Sequence, residues 1–151
     1  LVRETQRVGR RLPDTREPFP SLGLSAAHLA IVQKGMSDVT NSLRGTAYRA
    51  RIDEPGMAMA GKTGSVQIKR ITKAERERGV GKNEDRVWKD RDHALFIGYA
   101  PVNSPRYAVS VVVEHGGGGA KTAAPIARDI LREVQRRDPV RRGPEEISSS
   151  I

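Results

Sequence analysis

A chain of 151 residues with 36% hydrophobic residues has room for one domain with a real core, and the lack of Cys leaves neither a disulfide framework nor a thiolate metal site. The net charge of +9 raises the question of an anionic partner, but the basic residues are mixed with acids throughout and aromatics are only 4%, too few for a base-stacking platform, which argues against nucleic acid. No run reaches the roughly 18 apolar residues of a membrane span.

The chain opens on Leu1 rather than Met, and residues 1–21 show neither a strand nor a helical period. They read as an irregular N-terminal arm on something cut from a longer protein. Ser25 is a good N-cap for a helix over 25–34, which Gly35 would stop or kink. Residues 36–43 then add a turn or two with Met36, Val39 and Leu43 on one side, and Asp53-Glu54-Pro55-Gly56 is a turn sequence.

From Met57 the texture changes, with Val66 and Ile68 alternating with polar neighbours, so 57–68 reads as one long strand. Residues 93–100 and 107–114 are rich in β-branched and aromatic residues and are joined by Pro101-Val102-Asn103-Ser104-Pro105-Arg106, which predicts an antiparallel hairpin. Between strand and hairpin, residues 69–92 carry nine basic and six acidic side chains with Trp88 as the apolar anchor of the second half. A polar loop of that length is a functional lid or only partly ordered.

His115 and the glycines 116–119 lead to a helix with Pro125 in its first turn, where Ile126, Ala127, Ile130, Leu131 and Val134 form one apolar stripe that should pack on the hairpin. The glycine run reads as a flexible connection. His28, His93 and His115 are far apart in sequence without metal-ligand spacing and read as solvated or capping residues. Residues 138–151 have no core-forming pattern and read as a disordered tail. The expected fold class is α/β of the α+β type, with three antiparallel strands flanked by helices and the domain proper over 22–137.

Two readings compete for Lys62. Gly56 to Thr63 matches G-x-x-x-x-G-K-[ST], the loop that cradles nucleotide phosphates between a buried strand and a helix. Its context is wrong, because Arg49-Ala50-Arg51-Ile52 is no buried strand and Gly64-Ser65-Val66-Gln67-Ile68 starts a strand-like alternation. A non-enzymatic basic binding module is a further alternative. The other reading takes Lys62-Thr63-Gly64 as the K-T-G element of serine acyl-transfer enzymes.

The assembly in chain order gives that reading weight: Ala60-Gly61-Lys62-Thr63-Gly64-Ser65-Val66-Gln67 on a strand, a long polar insertion, Ala94 to Pro101, then Val111 to Gly119 and a last helix. With Gly35-Met36 and Gly45-Thr46-Ala47 upstream, residues 22–136 resemble the C-terminal part of the transpeptidase domain of class B penicillin-binding proteins, elongation type (penicillin-binding protein 2).

The resemblance implies a penicillin-binding, serine β-lactamase-like fold in which the K-T-G strand lines the active-site groove and the donor peptide adds to it as a further strand. It implies that Lys62 supplies positive potential for proton movement and the incoming carboxylate, and that Thr63 donates to a substrate or β-lactam carboxylate. Gly64 keeps the wall free of a side chain, and Ser65, where the family more often has Thr, offers its N–H to the oxyanion hole, a contact worth roughly 2.7 to 4 kcal/mol in catalysis. It further implies peptidoglycan stem peptides and β-lactams as ligands and no cofactor. The upstream part of the same domain, with two more strands of a five-stranded sheet, and the cell-elongation machinery would be partners. The place would be the periplasmic face of the bacterial inner membrane. A carboxypeptidase or serine β-lactamase shares the K-T-G strand, so that choice stays open.

The chain departs from the family pattern in two respects that limit its chemistry. No Ser is followed by Lys three residues later, and none of Asn41, Asn83 or Asn103 has Ser two residues before it. The nucleophile and its base are therefore expected upstream in the parent protein, since a serine hydroxyl needs an adjacent base to attack. The isolated chain, incubated with a fluorescent penicillin, should carry no covalent label on a denaturing gel; stoichiometric labelling would contradict this.

Overall fold

The computed structural model describes residues 20–138 except Leu22, together with the backbone of residues 6, 7, 10 and 11. The arm expected to be irregular contains two short paired strands, β1 (Gln6–Arg7) and β2 (Arg10–Arg11). The tail expected to be disordered lies outside the described residues from residue 139 onward, but Asp138 belongs to the fold. Its carboxylate is buried and accepts from the Tyr107 hydroxyl at 2.6 Å and pairs with Arg106.

Helix α1 spans Ala26–Asn41 without a break at Gly35, where sequence predicted a stop or kink. Glycine in a helix interior costs about 1 kcal/mol, and interactions at the C-terminal end outweigh it. Thr40 is fully buried with its hydroxyl donating to the Met59 carbonyl at 2.6 Å, and the Asn41 amide donates to the same oxygen at 2.9 Å. Lys34 and Asp38 pair across one turn. Ser25 takes the N-cap position without a side-chain capping bond.

Three strands follow, β3 (Ala60–Val66), β4 (His93–Ala100) and β5 (Tyr107–Val113), in the antiparallel order β3-β4-β5. β3 is shorter than the predicted 57–68, because Met57 and Met59 are buried in the core before the ladder begins at the Ala60↔Tyr99 pair. β5 ends at Val113 rather than 114, since His115 takes a left-handed φ of 55° that terminates extended chain.

Alternation sets the two faces of the sheet. Ala94, Phe96 and Ala100 are fully buried, and their partners Val113, Val111 and Tyr107 pack against the same cluster. The opposite face carries Ile97 and Val112, more than half exposed. Phe96 is the largest side chain of the core. Its ring lies over Gly61 and Gly98, where an added Cβ would come within 2.7 Å of the ring atom Cε1 in both cases. Burial of a Phe side chain contributes about 1.5–3 kcal/mol, and here it requires glycine on both neighbours.

Helix α3 (Ala123–Arg136) closes the buried face. Its contact surface keeps Ala127 and Leu131 of the predicted stripe but not the rest. Ala123, Ala124, Ala127, Leu131 and Gln135 are buried, whereas Ile126 and Ile130 are more than two-fifths exposed and Val134 is intermediate. Small residues let the helix axis approach the sheet, and Gln135 fixes its rotation by donating to the Met57 carbonyl at 3.0 Å. Glu54 pairs with both Arg132 and Arg136, tying the predicted 53–56 turn to the helix.

The 69–92 segment has more order than its composition suggests. Helix α2 (Lys73–Glu77) carries a full capping box, with Thr72 and Glu75 each accepting from the other's backbone N–H. Two single 3-10 turns follow, at Asn83–Asp85 and Trp88–Asp90. Arg86 pairs with Asp92 at 3.0 Å, and Arg91 donates to the Glu84 and Arg86 carbonyls. Among the described residues no helix is long and apolar enough to cross a membrane.

The glycine run is no loose connection. A Cβ at Gly119 would lie 2.5 Å from the Gly64 carbonyl oxygen and 2.9 Å from its nitrogen, so the β5–α3 turn sits on the β3 backbone. A Cβ at Gly118 would meet nothing.

Two predictions follow from this packing. Gly119→Ala should destabilise the chain in urea by about 1–3 kcal/mol through overpacking, while Gly118→Ala stays within about 0.5 kcal/mol. The Thr72 backbone N–H, then the Lys69 ammonium and the Thr72 hydroxyl, lower the Glu75 pKa from 4.5 to about 2. A depressed carboxylate stabilises above its unfolded pKa and loses that contribution as pH falls through the folded one. The α2 cap should therefore persist at pH 4 and fail near pH 2, as followed by the Glu75 carboxyl resonance in NMR.

Candidate functional site

Strand β3 starts buried and emerges: Ala60 and Gly61 are covered, Lys62 and Ser65 are exposed, and Thr63 and Gly64 are intermediate. It pairs on one side with β4, through Lys62↔Ile97, Thr63↔Phe96, Gly64↔Leu95 and Ser65↔Ala94. Its other edge has no strand partner among the described residues. Unpaired backbone of this kind is a template for one more strand.

The ladder register removes the nucleotide reading of Gly56 to Thr63. That loop has to curl and open a helix, whereas residues 60–66 run extended and antiparallel to 93–99. Extended chain directs successive N–H groups to opposite sides and cannot converge them on a phosphate.

The predicted site residues lie consecutively on this strand. Lys62 and Gly64 share the outer face with Ile97 and Leu95, and the Lys62 ammonium donates to the Thr63 carbonyl at 2.9 Å. The Thr63 hydroxyl lies 3.2 Å from that of Thr46, in the segment after α1. Gly64 is bare on the outer face: a Cβ there would meet only that of Leu95, at 3.3 Å. Gly119 presses on its backbone from elsewhere, so the strand is backed without its outer face being covered.

Sequence reasoning gave Thr46 and Gly119 no part in the site, and no local signal pairs them with β3; each is brought there by a turn. The histidines also need correction. His93 and His115 touch, with ring centroids 4.8 Å apart, and the His115 backbone N–H donates to His93 Nδ1 at 2.8 Å. Trp88 lies against His115 at 4.1 Å, so the second half of the 69–92 segment is anchored beside the end of β3, at the Val66↔His93 pair. His115 Nδ1 is 3.1 Å from the Arg91 carbonyl. Among the described residues no group of three or more His, Asp or Glu side chains converges as metal ligands do.

The arrangement offers an exposed edge strand with a cation, a hydroxyl and free backbone, suited to holding an extended anionic peptide. The family model for the penicillin-binding protein transpeptidase domain matches residues 13–132. The peptidoglycan D,D-transpeptidase MrdA of Haemophilus influenzae is 34% identical over 66% of this chain and 14% of its own length. MrdA of Acinetobacter baumannii is 30% identical over 80% of this chain and 17% of its own.

Among solved structures, Pseudomonas aeruginosa PBP2 in complex with WCK 5153 superposes with a TM-score of 0.60 at 31% identity, over 86% of this chain and 24% of that one. Helicobacter pylori PBP2 in complex with MreC gives a TM-score of 0.63 at 23% identity, over 85% and 21%, which bears on the fold alone. The chain thus spans less than a quarter of the length of these relatives. It belongs to the penicillin-binding protein transpeptidase family and carries part of that domain, with MrdA and PBP2 proteins among its relatives.

Proposed function

We propose that this chain supplies the substrate-binding wall of a peptidoglycan D,D-transpeptidase, whose serine nucleophile and base belong to the upstream part of the same domain. The observation that carries the reading is the exposed strand β3, presenting Lys62-Thr63-Gly64-Ser65 beside an unpaired edge in a chain of this family.

In this reading the donor stem peptide lies along β3 as an added strand. Thr63 donates to its terminal carboxylate, Lys62 supplies positive potential toward the reacting serine, and the Ser65 N–H is one of two donors to the developing oxyanion. The serine oxygen attacks the penultimate D-Ala carbonyl, terminal D-Ala leaves, and the acyl group passes to an amine on a neighbouring stem. A β-lactam places its carboxylate and carbonyl on the same donors and stays as the acyl-enzyme. Acyl transfer of this type needs no metal or organic cofactor.

Gly119 and Thr46 hold the strand in place. The Thr46 oxygen, 3.2 Å from Thr63, fixes the rotamer from which Thr63 reaches the carboxylate. Peptidoglycan cross-linking takes place outside the cytoplasm, so the domain works at the periplasmic face of the inner membrane. A partner in the cell-elongation machinery belongs to the same proposal.

Removing a hydrogen bond to a charged group costs about 1.5–3 kcal/mol. Thr63→Val in the parent protein should therefore slow acylation by fluorescent penicillin roughly ten- to a hundredfold with its melting temperature unchanged, and Lys62→Ala should slow it at least as much. Unaltered acylation rates in both variants would refute the assignment.

A further inference from the structure

We propose that a basic cleft at the exit of β3 binds a carboxylate of the donor stem peptide, upstream of its D-Ala-D-Ala end; the inference rests on the transpeptidase reading above. The cleft, about 510 Å³, is lined by Gln67, Lys69, Arg70, Lys73 and Arg76 together with Ile68 and Ile71, and no Asp or Glu lines it. It opens immediately after Val66, the last residue of the strand.

The roles assigned on β3 set the direction of the ligand. With the terminal carboxylate at Thr63 and the penultimate carbonyl at Ser65, the rest of the donor runs antiparallel to β3, past Val66 toward Gln67. An extended chain advances roughly 3.4 Å per residue, so the residues two to four positions upstream of the scissile bond come to lie over the cleft.

The cations there differ in availability. Lys69 donates to Glu75 at 3.1 Å, and that carboxylate, held ionised by the Thr72 backbone N–H and by Lys69 itself, keeps it engaged. Lys73 sits 3.9 Å from Glu77, both highly exposed, a pair of little strength. Arg70 and Arg76 have no ion-pair partner among the described residues, and both are exposed. The capping box holds α2 so that Lys73 and Arg76, three residues apart, lie on one side of it. Guanidinium groups bind carboxylates through two parallel N–H donors, and two of them free beside the ligand path specify an anionic substituent.

The test uses the parent protein and its Arg70→Gln, Arg76→Gln double variant. Two synthetic peptides ending in D-Ala-D-Ala serve as probes, identical except that the side-chain carboxylate next upstream is free in one and amidated in the other. The wild type should show a KM on the order of fivefold to tenfold lower for the free carboxylate, a gap that narrows as salt is raised. The double variant should lose the gap through KM, with kcat, the amidated peptide and fluorescent penicillin labelling unchanged.

An intact preference in the variant, or an equal fall for both peptides, would overturn the proposal. So would loss of binding to phosphatidylglycerol vesicles with the peptide preference intact, which would make the patch a lipid-facing one. A wild-type parent that takes no penicillin label would instead remove the transpeptidase reading itself, which separates the two failures.

Discussion

The packing of the Phe96 ring on the backbones of Gly61 and Gly98 is the contact on which the rest of this structure depends. A fully buried phenyl group needs flat neighbours at both positions, and any side chain there would enter the ring. The ring sits two residue pairs from Gly61↔Gly98, on the Thr63↔Phe96 pair. It therefore fixes the β3–β4 register at the point where the strand leaves the core. A slip of β3 by one residue would turn Lys62 inward, burying a cation, and would set a side chain where the ring now meets Gly61.

With the register fixed, the remaining elements act as supports for one exposed strand. Helix α1 bonds through Thr40 and Asn41 to the Met59 carbonyl just before β3. The β5–α3 turn presses Gly119 onto Gly64, and α3 covers the buried face through alanines and Gln135. The supports grip the buried start and the backbone of the strand and leave its free edge open, as β-augmentation by a ligand needs. Trp88, His93 and His115 perform the same service at the far end, joining the charged insertion to the end of the hairpin.

Much of this was legible in the chain. The three strands, their antiparallel order and the candidate site strand follow from period-two alternation, β-branched composition and the Lys62-Thr63-Gly64 motif, all of which are local properties. The misjudged points are those where distant residues intervene. Gly35 looked like a helix stop because propensity does not include the Thr40–Met59 bond. Hydrophobicity, which ranks Ile above Ala, puts Ile126 and Ile130 in the α3 stripe, of which only Ala127 and Leu131 are fully buried. Close approach to the sheet favoured the alanines and left Ile126 and Ile130 outward.

The sequence by itself determined where the three main strands and the two long helices lie, that a Lys-Thr-Gly run falls on the first of those strands, and that no Ser-x-x-Lys pair lies in this chain. Those are matters of residue type and spacing along the backbone. The tertiary structure alone decided that the strand of Lys62 lies at the edge of the sheet, that Thr46 and Gly119 meet that strand, and that two histidines 22 residues apart touch. It also gathered Lys69, Arg70, Lys73 and Arg76 of the insertion around a cleft beyond Val66. Contacts between residues remote in sequence are set by how the sheet and helices share one core, and no local pattern encodes that arrangement.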